Sequence, residues 1–165
     1  MGFPTMAQVM GIQSITMKVV LQRVSKASCT VDGQITGAIE TGFCAFIGFK
    51  QGDTSACFDK MADKIVTLRV FNDENGKMNK SLLEVGGKIL SISQFTLYAS
   101  CRGGRRPSFS LAAPADQAKK LYEQFNSALA KRVEVETGIF QADMDIALIN
   151  DGPVTILLDE QELFS

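Results

Sequence analysis

Three side chains that could bind or orient a substrate, Ser93, Gln94 and Thr96, stand close together after a run of apolar residues. The β-branched and bulky residues of that run, preceded by two glycines, predict a strand over residues 89–97. Because strand side chains alternate, Gln94 and Thr96 would share one face, and Ser93 and Phe95 the other. A polar cluster at a strand end is rigid and accessible, which favours a functional site. The alternative is a set of ordinary polar side chains bonded to the sheet backbone.

The loop that follows this strand concentrates positive charge on flexible backbone. Residues 101–107 contain Arg102, Arg105 and Arg106 together with two glycines. Guanidinium groups donate paired hydrogen bonds to phosphate, so we predict that this loop contacts nucleic acid; the alternative is a solvated loop. Four cations of a later predicted helix could extend the patch or only line a solvated face: Lys119, Lys120, Lys131 and Arg132.

A second unusual segment, residues 150–155, places Gly152 directly before Pro153. Proline has a fixed φ, and glycine reaches backbone conformations that other residues cannot adopt. The pair could therefore aim two carbonyl oxygens in a fixed direction and form a rigid polar wall. The alternative is a simple turn between two strands, since Asp-Gly-Pro is a common turn sequence.

The chain contains no histidine, which excludes Ser–His and Cys–His nucleophile–base pairs and histidine-containing zinc sites. Its four cysteines are too widely spaced for an evident metal site, and we interpret them as reduced thiols of a cytosolic protein, three of them buried. Cys101 has no base beside it, so a catalytic cysteine is disfavoured. Proton transfer would then rely on carboxylates, lysine, water, backbone or the substrate itself, and no metal or cofactor is expected.

Length and composition favour one globular domain. The 165 residues are 45% hydrophobic, and 17 basic residues nearly balance 18 acidic ones, so contact with nucleic acid must come from a local patch. No apolar run approaches the length of a membrane span, and no membrane partner is expected. Residues 1–16 lack the charged start of a signal peptide, and we interpret them as a flexible leader before a domain of residues 17–165.

The predicted elements combine into a mixed α+β domain with barrel-like, curved β-sheets and two main helices packed on one side. An Asp-Gly turn at residues 32–33 predicts an early hairpin, and the apolar run 42–49 predicts a central buried strand. Asp53 or Thr54 is expected to cap the first helix, which would end near Leu68. The remaining predicted elements are strands at 19–24, 70–71, 143–150 and 155–158 and a second helix at 114–133.

Two motifs together resemble those of a known family. Ser93-Gln94-Phe95-Thr96-Leu97 and Asn150-Asp151-Gly152-Pro153-Val154-Thr155 resemble the two signature motifs of D-aminoacyl-tRNA deacylases. Either motif alone would be a weak signal, but both at this separation, within a β-rich pattern, are specific. The resemblance extends over nearly the whole chain from Met17 and includes the Gln22-Arg23 pair of the first strand.

The resemblance implies a cytoplasmic homodimer that hydrolyses the ester between a D-amino acid and the 3′-terminal adenosine of tRNA, and that also clears mischarged glycine. It implies that four residues form the pocket for the adenosine and the ester: Ser93, Gln94, Phe95 and Thr96. Without a histidine, the Thr96 hydroxyl would be a poor nucleophile, so we assign it to substrate orientation or oxyanion support. Backbone N–H groups near Phe95 and Thr96 could stabilise the oxyanion, and the neighbouring ribose 2′-hydroxyl could assist.

The same resemblance assigns chiral selection to Gly152 and Pro153. In the family this pair is cis and reaches across the dimer interface, where its carbonyl groups occupy the space that an L side chain would need. Arg23 is expected to brace the pair. Two alternatives stay open: a tRNA- or RNA-binding module without catalysis, and a paralogous deacylase with a trans Gly-Pro bond and relaxed chirality.

Overall fold

The computed structural model describes residues 17–164, so the predicted leader lies outside the described residues. None of its helices is long and apolar enough to cross a membrane. The strands are β1 (Lys18–Val31), β2 (Gln34–Ile39), β3 (Gly42–Gly48), β4 (Phe71–Asn72), β5 (Met78–Lys80), β6 (Lys88–Ser93), β7 (Val135–Thr137) and β8 (Asp145–Asp159). The helices are α1 (Phe58–Thr67), α2 (Leu82–Val85), α3 (Ala115–Ala130) and α4 (Glu160–Phe164), with a 3-10 helix at Phe95–Tyr98.

Strand β1 organises the main sheet because it pairs with three other strands. One edge is shared by β3, along residues 18–24, and by β2, along residues 27–31, while β8 runs antiparallel along the other edge. The sheet continues from β3 through β6 to β7. It curls until β2 approaches β7, where Thr36 Oγ1 donates a hydrogen bond to Thr137 O (3.4 Å). The result is the predicted barrel-like sheet, nearly closed, in a mixed α+β domain.

Two predicted features of this sheet are confirmed. The β1–β2 hairpin turns at Asp32 and Gly33, whose φ angles of 49° and 76° are positive, as a type I′ turn requires. β3 lies between β1 and β6, antiparallel to the first and parallel to the second, and nearly all of its residues are buried. Burial on both faces explains why residues 42–49 form an almost unbroken apolar run.

The two predicted main helices, α1 and α3, share one core with the sheet. The buried rings of Phe58 and Phe125 meet edge-to-face, with their centroids 5.3 Å apart. Just beyond α3, Arg132 donates hydrogen bonds to Asp63 (2.6 Å) and Asp59 (3.3 Å) of α1. Arg132 therefore ties the two helices together and is engaged by carboxylates, which argues against its extending a phosphate-binding patch.

The predicted cap of the first helix is wrong. α1 begins at Phe58, after Cys57, and ends at Thr67. Asp53 instead accepts a hydrogen bond from Lys50 N (2.7 Å) through its carboxylate, and its own N–H donates to Lys50 O (3.0 Å). Because these bonds close a turn ahead of the helix, the helix starts later than the capping signal indicates.

The strand predicted over residues 89–97 is wrong beyond Ser93. β6 ends there because its parallel neighbour β3 also ends, and Ile47 and Ser93 are the last paired residues. Gln94 N still donates to Ile47 O (2.7 Å), and Leu97 N then donates to Gln94 O (3.2 Å), which begins the 3-10 helix. The predicted alternation of side chains between two faces therefore stops at the end of the strand.

The last predicted strands, 143–150 and 155–158, form one element instead of two. Strand β8 is continuous from Asp145 to Asp159 because β1 extends past both halves and pairs with each of them. The chain does not reverse direction between the halves. The interpretation of this segment as a simple turn between two strands is therefore wrong.

Phe125→Ala should lower the free energy of unfolding by about 3–5 kcal/mol, because truncating a fully buried ring leaves a cavity in the core. Urea unfolding followed by circular dichroism measures this. The matched control is Leu83→Ala, since Leu83 is 47% exposed, and it should cost less than about 1 kcal/mol. Equal losses in the two variants would contradict this placement of the core.

Candidate active site

A pocket of about 720 Å³ opens where β3 and β6 end. Ser93, Gln94 and Phe95 line it, together with residues from the start of α3 and from the segment 140–146. The end of β3 positions the first two, because Ser93 pairs with Ile47 and Gln94 N donates to the Ile47 carbonyl. The structure thus brings three of the four predicted pocket residues to one cavity.

Two exposed aromatic rings border this pocket. Phe95 is 54% exposed and Phe109 is 40% exposed, and their centroids lie 5.1 Å apart with an interplanar angle of 69°. An edge-to-face pair left open to solvent at a cavity offers an apolar surface to a planar ligand. Much of the remaining wall consists of small residues, which leave room for a bulky guest: Gly48, Ala112, Ala113, Ala115, Ala118 and Ala142.

Thr96, the fourth predicted residue, is exposed in the first turn of the 3-10 helix and is not among the residues that line the pocket. Its hydroxyl accepts a hydrogen bond from Gln94 Nε2 (2.5 Å). The first bond of the helix is donated by Leu97 N, so the N–H groups of Phe95 and Thr96 precede the intrahelical pattern. These two N–H groups are therefore not used by the hydrogen bonds within the 3-10 helix.

The arginine loop, residues 101–107, is joined to this pocket through the backbone. Ser100 and Ser108 exchange backbone hydrogen bonds of 2.7 and 2.8 Å, which close the loop at its base. Phe109 follows at once and lines the pocket. The three guanidinium-bearing residues are all exposed on the loop: Arg102, Arg105 and Arg106.

The second motif forms a bulge, defined here as residues 151–154, in the middle of β8. Gln22 pairs with Thr155, and Val24 pairs with Asn150. A step of two residues along β1 therefore matches a step of five along β8, and the extra residues must leave the sheet.

The bulge contains the Gly152–Pro153 peptide bond, which is cis. Gly152 has a φ of 141°, a conformation that L side chains rarely adopt. A Cβ atom at this position would also lie 2.8 Å from Cγ2 of Val154. Both facts restrict the position to glycine.

Arg23 lies opposite the bulge with only 5% of its surface exposed. Its Nε donates to Asp151 O (2.8 Å), and its Nη1 donates to Val70 O (2.7 Å) and to Asn72 Oδ1 (3.3 Å). The carboxylate of Asp151 adds a longer ionic contact with Nε at 3.7 Å. Arg23 thus joins the bulge to β4 and the residue before it. Nothing in the sequence pattern pointed to Val70 or Asn72 as partners of this guanidinium.

Within one chain, the bulge and the pocket lie apart. Arg23, beside the bulge, pairs with Phe43, whereas the pocket begins at Ile47 of the same strand. Four strand residues span about 13 Å. Along β8, Ile146 of the pocket and Asn150, just before the bulge, are separated by four residues, or about 13 Å of strand. One chain therefore does not bring its two motifs together.

The pocket contains no nucleophile–base pair among the residues that line it. Asp143 is the one charged residue in that set. Across residues 17–164, no group of three or more histidine, cysteine, aspartate or glutamate side chains is placed to hold a metal ion. The chemistry that this arrangement supports best is the positioning of an already reactive group.

Two cysteines are buried, whereas three were predicted. Cys29 and Cys44 lie in the core, Cys57 is half-buried just before α1, and Cys101 is exposed on the arginine loop. Burial, with a smaller contribution from Cys29, raises the pKa of the Cys44 thiol to about 12. Cys44 is therefore protonated and unreactive near neutral pH.

Fold and site define a class of protein: a barrel-like α+β domain with a pocket at the ends of β3 and β6 and a separate backbone bulge in β8. Residues 20–159 match the family model described as D-Tyr-tRNA(Tyr) deacylase. Because the match spans most of the sequence, the chain belongs to this family.

Individual relatives agree with the assignment. The D-aminoacyl-tRNA deacylase of Thermus aquaticus is 54% identical to this chain over 147 residues, which cover 88% of this chain and 97% of the relative. The D-aminoacyl-tRNA deacylase of Kosmotoga olearia is 52% identical over 148 residues, which cover 90% of this chain and 100% of the relative. A solved structure described as c-Myc DNA Unwinding Element Binding Protein has a TM-score of 0.80 at 42% identity, covering 86% of this chain and 97% of its own. A probable eukaryotic D-amino acid tRNA deacylase, with a TM-score of 0.76 at 18% identity, covers 88% and 100% and supports the fold alone.

Iodoacetamide should alkylate Cys101 first in the native protein, because Cys101 is exposed whereas Cys57 is half-buried and the other two cysteines are buried. Raising the pH from 7 to 9 should leave Cys44 unmodified, because a thiol with a pKa of about 12 stays protonated over that range. Peptide mass spectrometry measures both sites, with urea-unfolded protein as the control in which Cys44 reacts. Modification of Cys44 before Cys101 in folded protein would contradict the assigned burial.

Proposed function

We propose that this protein hydrolyses the ester bond of D-aminoacyl-tRNA, and of mischarged glycyl-tRNA, to release tRNA and the free amino acid. The observation that carries the proposal is the pocket at Ser93, Gln94 and Phe95 in a chain of the deacylase family. The pocket offers polar groups and backbone donors without a nucleophile–base pair. Such a set of binding groups suits an aminoacyl ester, which is already activated toward attack by water.

The 3′-terminal adenosine is the group that we place at the aromatic border of the pocket. Nucleobases stack on exposed aromatic rings, and Phe95 and Phe109 provide such a surface. We assign contacts with the nearby phosphates of the acceptor end to the exposed arginines of the loop: Arg102, Arg105 and Arg106. We assign no role in tRNA binding to Arg132, whose guanidinium is held by two carboxylates.

The proposed reaction depends on position more than on side-chain acid–base chemistry. Water adds to the ester carbonyl carbon, and the resulting oxyanion accepts hydrogen bonds from the N–H groups of Phe95 and Thr96. The bond from this carbon to the ribose 3′-oxygen then breaks, and the oxygen leaves with a proton. The adjacent 2′-hydroxyl is the nearest group able to assist the proton transfer. Thr96, held by Gln94, orients this end of the substrate, and no cofactor takes part.

Selection of the D form is assigned to Gly152 and Pro153, acting in the pocket of a second copy of the chain. The separation of bulge and pocket within one chain supports this proposal, because a homodimer can unite them. β8 also carries exposed apolar side chains suited to an interface, with Ile149 at 51% and Leu157 at 64% exposure. Backbone carbonyls of the bulge would occupy the space required by an L side chain. Arg23 braces the bulge in this role.

A nucleic-acid-binding role without catalysis is the second candidate. The exposed arginine loop and the DNA-binding description of one structural relative favour it. Such a module would bind tRNA and leave the ester to decay at its spontaneous rate. We place the deacylase, by contrast, in the cytoplasm, where aminoacyl-tRNA is its substrate.

Purified protein should cleave D-tyrosyl-tRNA and glycyl-tRNA while sparing L-tyrosyl-tRNA. We expect kcat/KM for the D ester to exceed that for the L ester by more than about 100-fold, a discrimination of about 2.7 kcal/mol. Release of labelled amino acid measures it, with uncatalysed decay of each ester as the control. No turnover would favour the binding module, and equal rates on the D and L esters would favour a deacylase with relaxed chirality.

Replacing the 2′-hydroxyl of the terminal adenosine by hydrogen should slow cleavage about 100-fold or more, because a proton-transfer group positioned beside the ester is lost. Thr96→Ala should slow single-turnover cleavage by only about 10-fold, a loss of about 1.4 kcal/mol, because it orients the substrate without attacking it. Thr96→Ser is the matched control and should be milder. An acyl group trapped on Thr96, or full activity on the 2′-deoxy substrate, would refute this mechanism.

A further inference from the structure

The amide side chain of Asn150 spans the base of the bulge. Its Oδ1 accepts a hydrogen bond from Val154 N (2.7 Å), and its Nδ2 donates to Val154 O (3.1 Å). Nδ2 also lies 3.3 Å from Thr155 Oγ1, a second acceptor. One side chain therefore serves both backbone polar groups of the residue that ends the bulge.

The strand register explains why these two groups need a partner. The pairing of β1 with β8 stops at Asn150 and resumes at Thr155, so the bulge lies outside the ladder that would otherwise bond its backbone. Partly buried N–H and C=O groups without a partner are costly. The Asn150 amide supplies a donor and an acceptor at the same place, as a neighbouring strand would do.

Asn150 and Arg23 hold opposite ends of the same short segment. Arg23 binds the carbonyl of Asp151, at the start of the bulge, and fastens it to β4. Asn150 binds Val154, at its end. Gly152 and Pro153 lie between these two anchors, so their carbonyl directions depend on both.

We propose that Asn150 is a positioning residue for chiral selection: it closes the bulge and thereby fixes where the Gly152 and Pro153 carbonyls point. This inference rests on the proposed function. Asn150 acts through the bulge and touches no reacting atom. Its loss should therefore change which hand of substrate is accepted more than it changes the capacity to hydrolyse an ester.

The chemistry of the side chain makes the proposal specific to asparagine. Aspartate keeps an oxygen for Val154 N but has no donor for Val154 O, and its charge would face that carbonyl. Leucine is similar in shape to asparagine but has neither the oxygen that accepts from Val154 N nor the N–H that donates to Val154 O. Thr155→Val removes the third contact of Asn150, that with Thr155 Oγ1, together with the 3.3 Å hydrogen bond that Gln22 Nε2 donates to the same oxygen. It leaves both bonds between Asn150 and Val154 in place. The three substitutions therefore separate closure of the bulge from general polarity at its base.

The test measures kcat/KM on D-tyrosyl- and L-tyrosyl-tRNA for the full chain and for Asn150→Leu, Asn150→Asp and Thr155→Val. Thermal unfolding and light scattering confirm that each variant is folded and has the wild-type oligomeric state. The D-to-L ratio should fall at least about 10-fold in Asn150→Leu, the effect of losing about 1.4 kcal/mol of discrimination. It should fall by a smaller factor in Asn150→Asp and stay within about twofold of wild type in Thr155→Val, since that change corresponds to under about 0.5 kcal/mol.

A structural role alone would lower both rates by the same factor and leave the ratio unchanged, and that result in folded Asn150→Leu would overturn the inference. If Asn150→Leu does not fold, an unchanged ratio in Asn150→Asp has the same force. An equal loss of selectivity in Thr155→Val would also count against closure of the bulge as the cause. Wild-type protein that cleaves neither ester, or both equally, would instead overturn the proposed function, and this inference with it.

Discussion

The three-fold pairing of strand β1 is the constraint on which the rest of the structure depends. One edge of β1 serves β3 and then β2, and the other edge serves β8 along its whole length. From β1 the sheet continues through β3 and β6 to β7 and curls until β2 approaches β7, which nearly closes the barrel. Strand β1 also carries Arg23 at the point where β8 departs from the ladder. The fold and the position of the bulge therefore rely on one run of backbone pairing.

The bulge stays ordered because side chains replace the lost strand pairing. The Arg23 guanidinium binds the Asp151 carbonyl at one end and joins it to Val70 and β4. The Asn150 amide binds Val154 at the other end, within β8 itself. A buried arginine is stable only when its donors are satisfied, and here two backbone carbonyls and Asn72 accept from it. Polar contacts thus hold both ends of the proposed filter.

The pocket differs from the bulge, because small side chains form much of its wall. Such small residues impose no tight shape on a ligand, and this suits the proposed deacylation of different D-amino acids. The absence of histidine from the chain is consistent with this, because an activated ester beside a ribose hydroxyl needs little help with proton transfer. Specificity in the proposed dimer would come from the partner's bulge, and turnover from the pocket.

The sequence by itself determined the features that depend on local patterns: the hairpin at Asp32-Gly33, the buried strand β3, the apolar faces of α1 and α3, and the two motifs. Turn chemistry and hydrophobic periodicity act over a few residues, so they can be read without a fold. The tertiary structure decided what depends on distant neighbours. β6 ends at Ser93 because β3 ends beside it, and residues 151–154 form a bulge because β1 continues past them. The separation of the two motifs within one chain depends on strand pairing between segments far apart in sequence, which no local pattern records.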